Sequence, residues 1–185
     1  PMLFPGQASQ FVGMARDLAA GDGPGAAFLG RIDEILQDEL LDLMFEGPQE
    51  TLTETRHCQP AILAHSVAVA LELRERGLRP SLVAGHSLGE FSAAVAAGAL
   101  QPEDALRLVR LRGELMFAAG QERPGTMAAV MGLAADRVEE VCAEVSKTAG
   151  IVVLANHNSA AQLAISGEVA AVEAASEALK EAGAK

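Results

Sequence analysis

Leu82-Val83-Ala84-Gly85-His86-Ser87-Leu88-Gly89-Glu90 is the stretch on which the fold turns. Leu82, Val83 and Ala84, after Pro80, have the length and side chains of a short buried strand. Glu90 to Ala97 is rich in alanine and other good helix formers. Between them, Gly85-x-Ser87-x-Gly89 makes a sharp turn with a hydroxyl at its apex. Strand, tight turn, helix is the α/β pattern, with the polar residues at the carboxyl end of the strand. Such an elbow stands the serine at the mouth of a sheet and at a helix N-terminus, and it places the amide of the next residue, Leu88, to donate to a developing oxyanion. The residues therefore predict a nucleophilic Ser87.

Upstream, Met2-Leu3-Phe4 reads as a very short strand that ends in the turn Pro5-Gly6-Gln7. Residues 13–20 and 27–36 read as short helices, with the loop Gly21-Asp22-Gly23-Pro24-Gly25 between them. Gln59-Pro60 opens a long helix with Pro60 in its first turn, Ile62, Ser66, Val69 and Leu73 on one face, and Gly77 as its stop.

Downstream, a helix follows Pro102 and runs to about Ala119. Its apolar residues Ala105, Leu108, Val109, Leu115, Met116 and Ala119 form a stripe, and Arg112 falls in the middle of it. A guanidinium buried there needs an anion or a full set of acceptors. A snorkelling side chain or an internal ion pair would meet the same need, so the residues alone leave the role of Arg112 open. Beyond Gly120 to Gly125, Thr126–Met131 reads as a strand and 134–148 as a helix with Val138, Val141, Cys142 and Val145 inward. Strands over 151–155 and 162–166 and an amphipathic helix over 168–182 complete a βαββα order. That is one strand short of the ferredoxin-like βαββαβ pattern, which predicts a chain truncated at its end; Pro1 in place of a starting Met suggests a cut at the beginning too.

Composition bounds the partners. Of 185 residues, 50% are hydrophobic, and the aromatics are 3%, all Phe, so Ala, Leu and Val must fill the core. A formal net charge of −11 argues against general affinity for nucleic acid or anionic membranes. No cationic leader and no long apolar run appears. Cys58 and Cys142 suit a reducing compartment, lack metal-ligand neighbours at the usual spacing and read as small buried side chains. His86 adjoins the serine, but neighbouring residues at a strand end point to opposite faces, so it should turn away from the hydroxyl. His57, His65 and His157 read as structural or surface residues.

Beyond the elbow, a series of segments resembles the malonyl-CoA:acyl-carrier-protein transacylase family, the acyltransferases of fatty acid and polyketide synthesis. Leu3-Phe4-Pro5-Gly6-Gln7 with Ser9-Gln10 is similar to its FPGQGSQ opening, Gln59-Pro60-Ala61 to its QPA helix start, and Gly85 to Glu90 to its GHSLGE. Arg112-Gly113-Glu114-Leu115-Met116, Asn156 to Ser159 and Ile165-Ser166-Gly167 resemble its RGxxM, NxNSPxQ and ISG segments. Ala8 stands where the family usually has Gly, at a turn where a positive φ would strain alanine, and Ala160-Ala161 replaces Pro-Gly.

The resemblance implies an α/β fold with an α/β-hydrolase-like large subdomain over residues 1–124 and a ferredoxin-like small subdomain over 125–185, truncated at the C-terminus. It gives Ser87 the nucleophile's role and puts the backbone amides of Gln7 and Leu88 at the oxyanion hole. On its own residues Gln7 is a polar side chain in an exposed turn. It also makes Arg112 the two-pronged partner of a malonyl carboxylate. The implied substrate is malonyl-CoA and the implied partner holo acyl carrier protein, in the cytoplasm, with no metal and no bound cofactor. The family's base histidine would follow a further strand, beyond Lys185, so residues 1–185 alone are expected to be inactive. Three other readings compete: a polyketide-synthase acyltransferase domain, a hydrolase clearing carrier proteins, and a non-catalytic docking fragment. Arg112 speaks against the hydrolase, where an apolar or amide residue would be expected.

Overall fold

Phe4 and Gly85 lie side by side at the carboxyl ends of two parallel strands, β1 (Met2–Phe4) and β2 (Val83–Gly85), with Met2 opposite Val83. A computed structural model describes residues 1–185, and the chain divides into two compact units, Pro1–Ala118 and Ala119–Lys185. The first unit joins the strand pair to seven helices, α1 (Arg16–Ala19), α2 (Pro24–Leu29), α3 (Ile32–Leu36), α4 (Leu40–Glu46), α5 (Gln49–Thr53), α6 (Thr55–Glu75) and α7 (Gly89–Ala96), and to most of an eighth, α8 (Pro102–Glu122).

The central helix α6 begins at Thr55, so Pro60 lies inside it rather than in its first turn. Proline has no N–H to give to the carbonyl four residues back, that of Arg56. Arg110 fills the gap, its Nη1 donating to Arg56 O at 3.3 Å. Helix α6 packs on α2 and buries Ala61, Ala64 and Ala68 completely, small residues that let the two helices approach closely. The expected stripe of Ile62, Ser66, Val69 and Leu73 lines instead an open groove of about 370 Å³ shared with Met2, Phe4 and Phe11.

Two further expectations are corrected. The strand pair is not buried: Phe4 packs with Ala70 and Ala93 on one face, while Leu3 is 72% and Leu82 58% exposed and Ala84 faces outward. In α8 the buried stripe is Ala105, Leu106, Val109 and Gly113, and Leu108, Leu115 and Met116 are exposed. The helix turns this way because Gly113 has no side chain. A Cβ there would stand 2.8 Å from Thr55 O and 3.0 Å from Arg56 Cα, so only glycine lets α8 come so close to the start of α6. Arg112 consequently sits half-buried at the edge of the packed face, not in its centre.

The second unit runs β3 (Gly125–Met131), α9 (Ala135–Val145), β4 (Val152–Ser159), β5 (Gln162–Glu168) and α10 (Val169–Glu181). Its antiparallel sheet has the order β3-β5-β4, and β4 outruns its expected end through two register shifts, at Leu154/Asn156 and His157/Ser159. Alternation sends Val130, Val152, Leu163 and Ile165 onto Val138, Cys142, Val172 and Leu179 of the helices. Met127, Met131 and Val153 lie on the opposite, exposed face. Lys185 exchanges both backbone hydrogen bonds with Met131, at 2.8 and 2.9 Å. Both cysteines are buried; burial pushes the Cys58 thiol up to about 11 and raises that of Cys142 as well. No helix is long and apolar enough to cross a membrane.

Candidate active site

The elbow starts where β2 ends. Ser87 adopts φ +53°, in the left-handed region that β-carbons disfavour by roughly 1–2 kcal/mol. The strain is held by its neighbours. His86 N–H donates to Phe4 O (3.1 Å), Gly89 N–H to His86 O (2.9 Å) and Glu90 N–H to Ser87 O (3.0 Å), which closes the turn and launches α7. Both glycines of Gly85-x-Ser87-x-Gly89 are required by contact. A Cβ on Gly85 would fall 2.1 Å from the Gly89 carbonyl, and one on Gly89 would fall 2.5 Å from Phe4 O. Sterically, the motif is β2, the turn and β1 packed backbone to backbone.

Ser87 is exposed, and its Oγ accepts a hydrogen bond from Arg112 Nη2 at 3.2 Å. Arg112 Nη1 donates to Gln59 Oε1. Gln59 is fully buried, and its Nε2 donates to Met116 Sδ at 3.3 Å. The site is therefore a chain of three side chains from the elbow, α8 and α6. The sequence marks Gln59 only as a helix start and gives it no role in the site, although a lone amide between Cys58 and Pro60-Ala61-Ile62 in an otherwise apolar run is its visible signal.

Neither hydrogen-bond partner of Arg112 carries a charge, which sets it apart from the arginines around it. Arg56 is paired with Glu54 at 2.7 Å, and Arg110 is held by Asp38 and by Glu114 at 2.8 Å. Arg112 thus presents an unneutralised guanidinium beside the serine hydroxyl. It cannot serve as a base, because a guanidinium only donates.

Gln7 lies in the turn after β1, its side chain exposed and donating to Thr55 Oγ1 at 3.1 Å. The turn is tied by Ala8 N–H to Gln10 Oε1 (3.0 Å) and by Ser9 Oγ to Gly6 O (2.8 Å). Neither the Gln7 nor the Leu88 N–H donates in the backbone hydrogen bonds of the turns and loops. Ala8 takes φ +78°, the conformation in which glycine would be at ease. Ala8→Gly should therefore stabilise the protein by about 0.5–1 kcal/mol, the relief of left-handed strain less the entropy that glycine adds to the unfolded chain. Urea denaturation measures this, and an unchanged or lowered midpoint would contradict it.

The histidines of the first unit lie on α6 or directly beside Ser87. His57 has Nδ1 at 3.5 Å from Arg110 Nη1 and Nε2 at 3.8 Å from Glu54, and burial, with Arg110 and Arg56 beside it, holds its imidazole below the usual range. His65 lines the groove beside Phe4 and Ile62, and burial lowers it too. His86 is exposed and follows β2 directly, and His157 lies on β4 in the second unit. No cluster of three His, Cys, Asp or Glu side chains is placed to hold a metal ion. A cavity of about 380 Å³, lined by Met2, Arg74, Leu78, Leu82 and Gly98, lies at the amino ends of the strands. Ser87 is at their carboxyl ends, where open α/β sheets bind ligands.

Comparison with known proteins matches residues 2–185 to the family described as acyl transferase domain. The malonyl CoA-acyl carrier protein transacylase of Bacillus subtilis (strain 168) is 46% identical over 183 residues, which is 99% of this chain and 58% of that protein. The crystal structure of MCAT from Streptococcus pneumoniae superposes with a TM-score of 0.90 at 43% identity, covering 100% of this chain and 60% of that one. A malonyl-transacylase solved in complex with a type II PKS acyl-carrier protein gives 0.89 at 43% identity, again covering 100% and 60%. The chain spans about three-fifths of the length of these relatives.

Proposed function

This chain belongs to the acyl transferase domain family, and on that footing we propose that it carries the nucleophile and the acyl-binding half of a malonyl-CoA:acyl-carrier-protein transacylase. The observation that carries the reading is the half-buried Arg112, free of any carboxylate partner and 3.2 Å from the oxygen of a strained, exposed Ser87. A malonyl group has a thioester carbonyl for the serine and, two carbons away, a carboxylate for the guanidinium. An acetyl group has only the first.

The chemistry follows from that placement. Ser87 Oγ attacks the thioester carbon, and its proton passes to the base histidine that the family resemblance places beyond Lys185. The amides of Gln7 and Leu88 donate to the oxyanion. The carbon–sulfur bond breaks, CoA leaves as the thiol with that proton, and malonyl remains on Ser87 as an ester. The phosphopantetheine thiol of holo acyl carrier protein then attacks the ester, takes the acyl group and returns the proton to Ser87. No metal or redox group enters this scheme. It belongs to cytoplasmic fatty acid or polyketide synthesis. In the same reading, residues 1–124 form the α/β-hydrolase-like subdomain, and the order β3-α9-β4-β5-α10 is that of a ferredoxin-like subdomain up to its last strand.

Without that histidine the hydroxyl is a weak nucleophile, and in serine–histidine systems loss of the base costs several orders of magnitude. Residues 1–185 alone should therefore transfer radiolabelled malonyl to holo acyl carrier protein orders of magnitude more slowly than the Bacillus subtilis relative. Serine-dependent transfer at the relative's rate would show that the chain holds its own base and overturn the scheme. Residual transfer that survives Ser87→Ala would remove Ser87 from it.

A further inference from the structure

We propose that Gln59 is the positioning residue for Arg112, and that its being a neutral amide is what leaves the guanidinium selective for carboxylated acyl groups. The inference rests on the reading of Arg112 as the carboxylate's partner. Gln59 and Ser92 are the two buried polar residues of the chain, and Gln59 has no exposed surface. An amide withdrawn from water this completely is tolerated when both its ends are bonded.

The bonding fixes the orientation of the amide. Arg112 only donates, so the atom facing its Nη1 is the carbonyl Oε1, and the NH₂ group points to Met116 Sδ at 3.3 Å. Flipping the amide would set donor against donor. Because the guanidinium is planar and rigid, tethering Nη1 sets the direction of the other nitrogen, and Nη2 is the one that reaches Ser87 Oγ at 3.2 Å. Gln59 itself is anchored one residue before Pro60 in α6, one turn beyond Thr55 and Arg56, against which Gly113 brings α8 close. Side chain and backbone therefore aim the fork at the serine from both helices.

Charge makes glutamine different from its isostere. A glutamate at position 59 would reach the same Nη1 but would satisfy the cation internally, leaving less attraction for an acyl carboxylate. Glutamine orients the cation without neutralising it.

Equilibrium titration of the 185-residue chain with malonyl-CoA and with acetyl-CoA tests this, with Gln59→Glu, Gln59→Met and Arg112→Ala compared with the parent and checked for folding by circular dichroism. Gln59→Glu should weaken malonyl-CoA about ten-fold or more, a step of about 1.4 kcal/mol, and leave acetyl-CoA unchanged. Gln59→Met, similar in size but without an acceptor, should weaken malonyl-CoA by less and broaden the Arg112 Nη signals in ¹⁵N–¹H spectra as the fork loses its tether. A parent ratio retained in both Gln59 variants but lost in Arg112→Ala overturns the positioning role alone. So does an equal loss for both thioesters. If Arg112→Ala also retains the ratio, the carboxylate reading of Arg112 fails, and this inference with it. Should one Gln59 variant not fold, the other decides by the same ratio.

Discussion

Ser87→Ala is expected to abolish the malonyl ester on the protein altogether. The test is a single acylation, not turnover: the chain is held with malonyl-CoA for hours and its intact mass is read. In serine enzymes the oxyanion donors and bound substrate by themselves leave a residual rate roughly 10³–10⁴-fold above that in water, enough for one slow event. The parent should gain the mass of one malonyl group and the variant none. A mass shift that persists in the variant would mean that another nucleophile is at work. Cys58 is a poor candidate, since it is buried and its thiol is pushed up to about 11, away from the reactive thiolate. Ser87→Gly makes a second point. It should be equally inert yet more stable than Ser87→Ala by up to about 1 kcal/mol, because glycine accepts the left-handed φ that alanine keeps as strain. Equal stability of the two would mean that the elbow relaxes once the hydroxyl is gone.

The second large effect belongs to Arg112→Ala. Acylation by malonyl-CoA should fall while acylation by acetyl-CoA is little changed or improved, since only the malonyl group loses a charged partner. Truncating one side of a desolvated, hydrogen-bonded charge pair costs roughly 2–5 kcal/mol. Arg112 is only half-buried, so the lower part of that range applies, about 2–3 kcal/mol or tens- to a few hundred-fold in the selectivity ratio. Parallel loss on both substrates would make Arg112 structural and move the carboxylate's partner elsewhere.

How much of this could be read from the residues differs from element to element. β1 and the helix α7 were legible because glycine, proline and a run of alanines punctuate them locally, and the βαββα order of the second unit because its strands and helices carry clear two- and 3.6-residue periods. Helices α4 and α5 were not, since Leu40-Leu41-Asp42-Leu43-Met44-Phe45 is nearly all apolar and Gln49–Thr53 holds a single apolar residue, so neither shows a period. The starting point of α6 was misplaced for a different reason. A proline normally marks a first turn, and only a side chain from a distant helix, Arg110, lets this one sit further in. In α8 the apolar stripe pointed the wrong way because periodicity weighs side chains, whereas the closest contact is made by Gly113, which has none. At the site, the sequence singles out Ser87 and Arg112 as separate features. Their proximity, and Gln59 behind them, arise from the packing of α6 against α8, and no local pattern encodes a distance between helices.

The union of the elbow with β1 ties the posture of Ser87 to residues some eighty positions earlier in the chain. β1 is three residues long, its Leu3 is largely exposed, and Phe4 O both receives the His86 amide and occupies the space that a side chain on Gly89 would need. So short a strand frays more readily than the helical core behind it. Each fraying event removes the buttress that keeps Ser87 left-handed, so the lifetime of that turn can be no longer than that of β1. Slow hydrogen exchange at the His86 amide is thus a gauge of how much of the time the hydroxyl is poised. A load on Met2 to Phe4, from a tag or a binding partner, would be felt at Ser87 as a slackened turn long before it registered as lost stability.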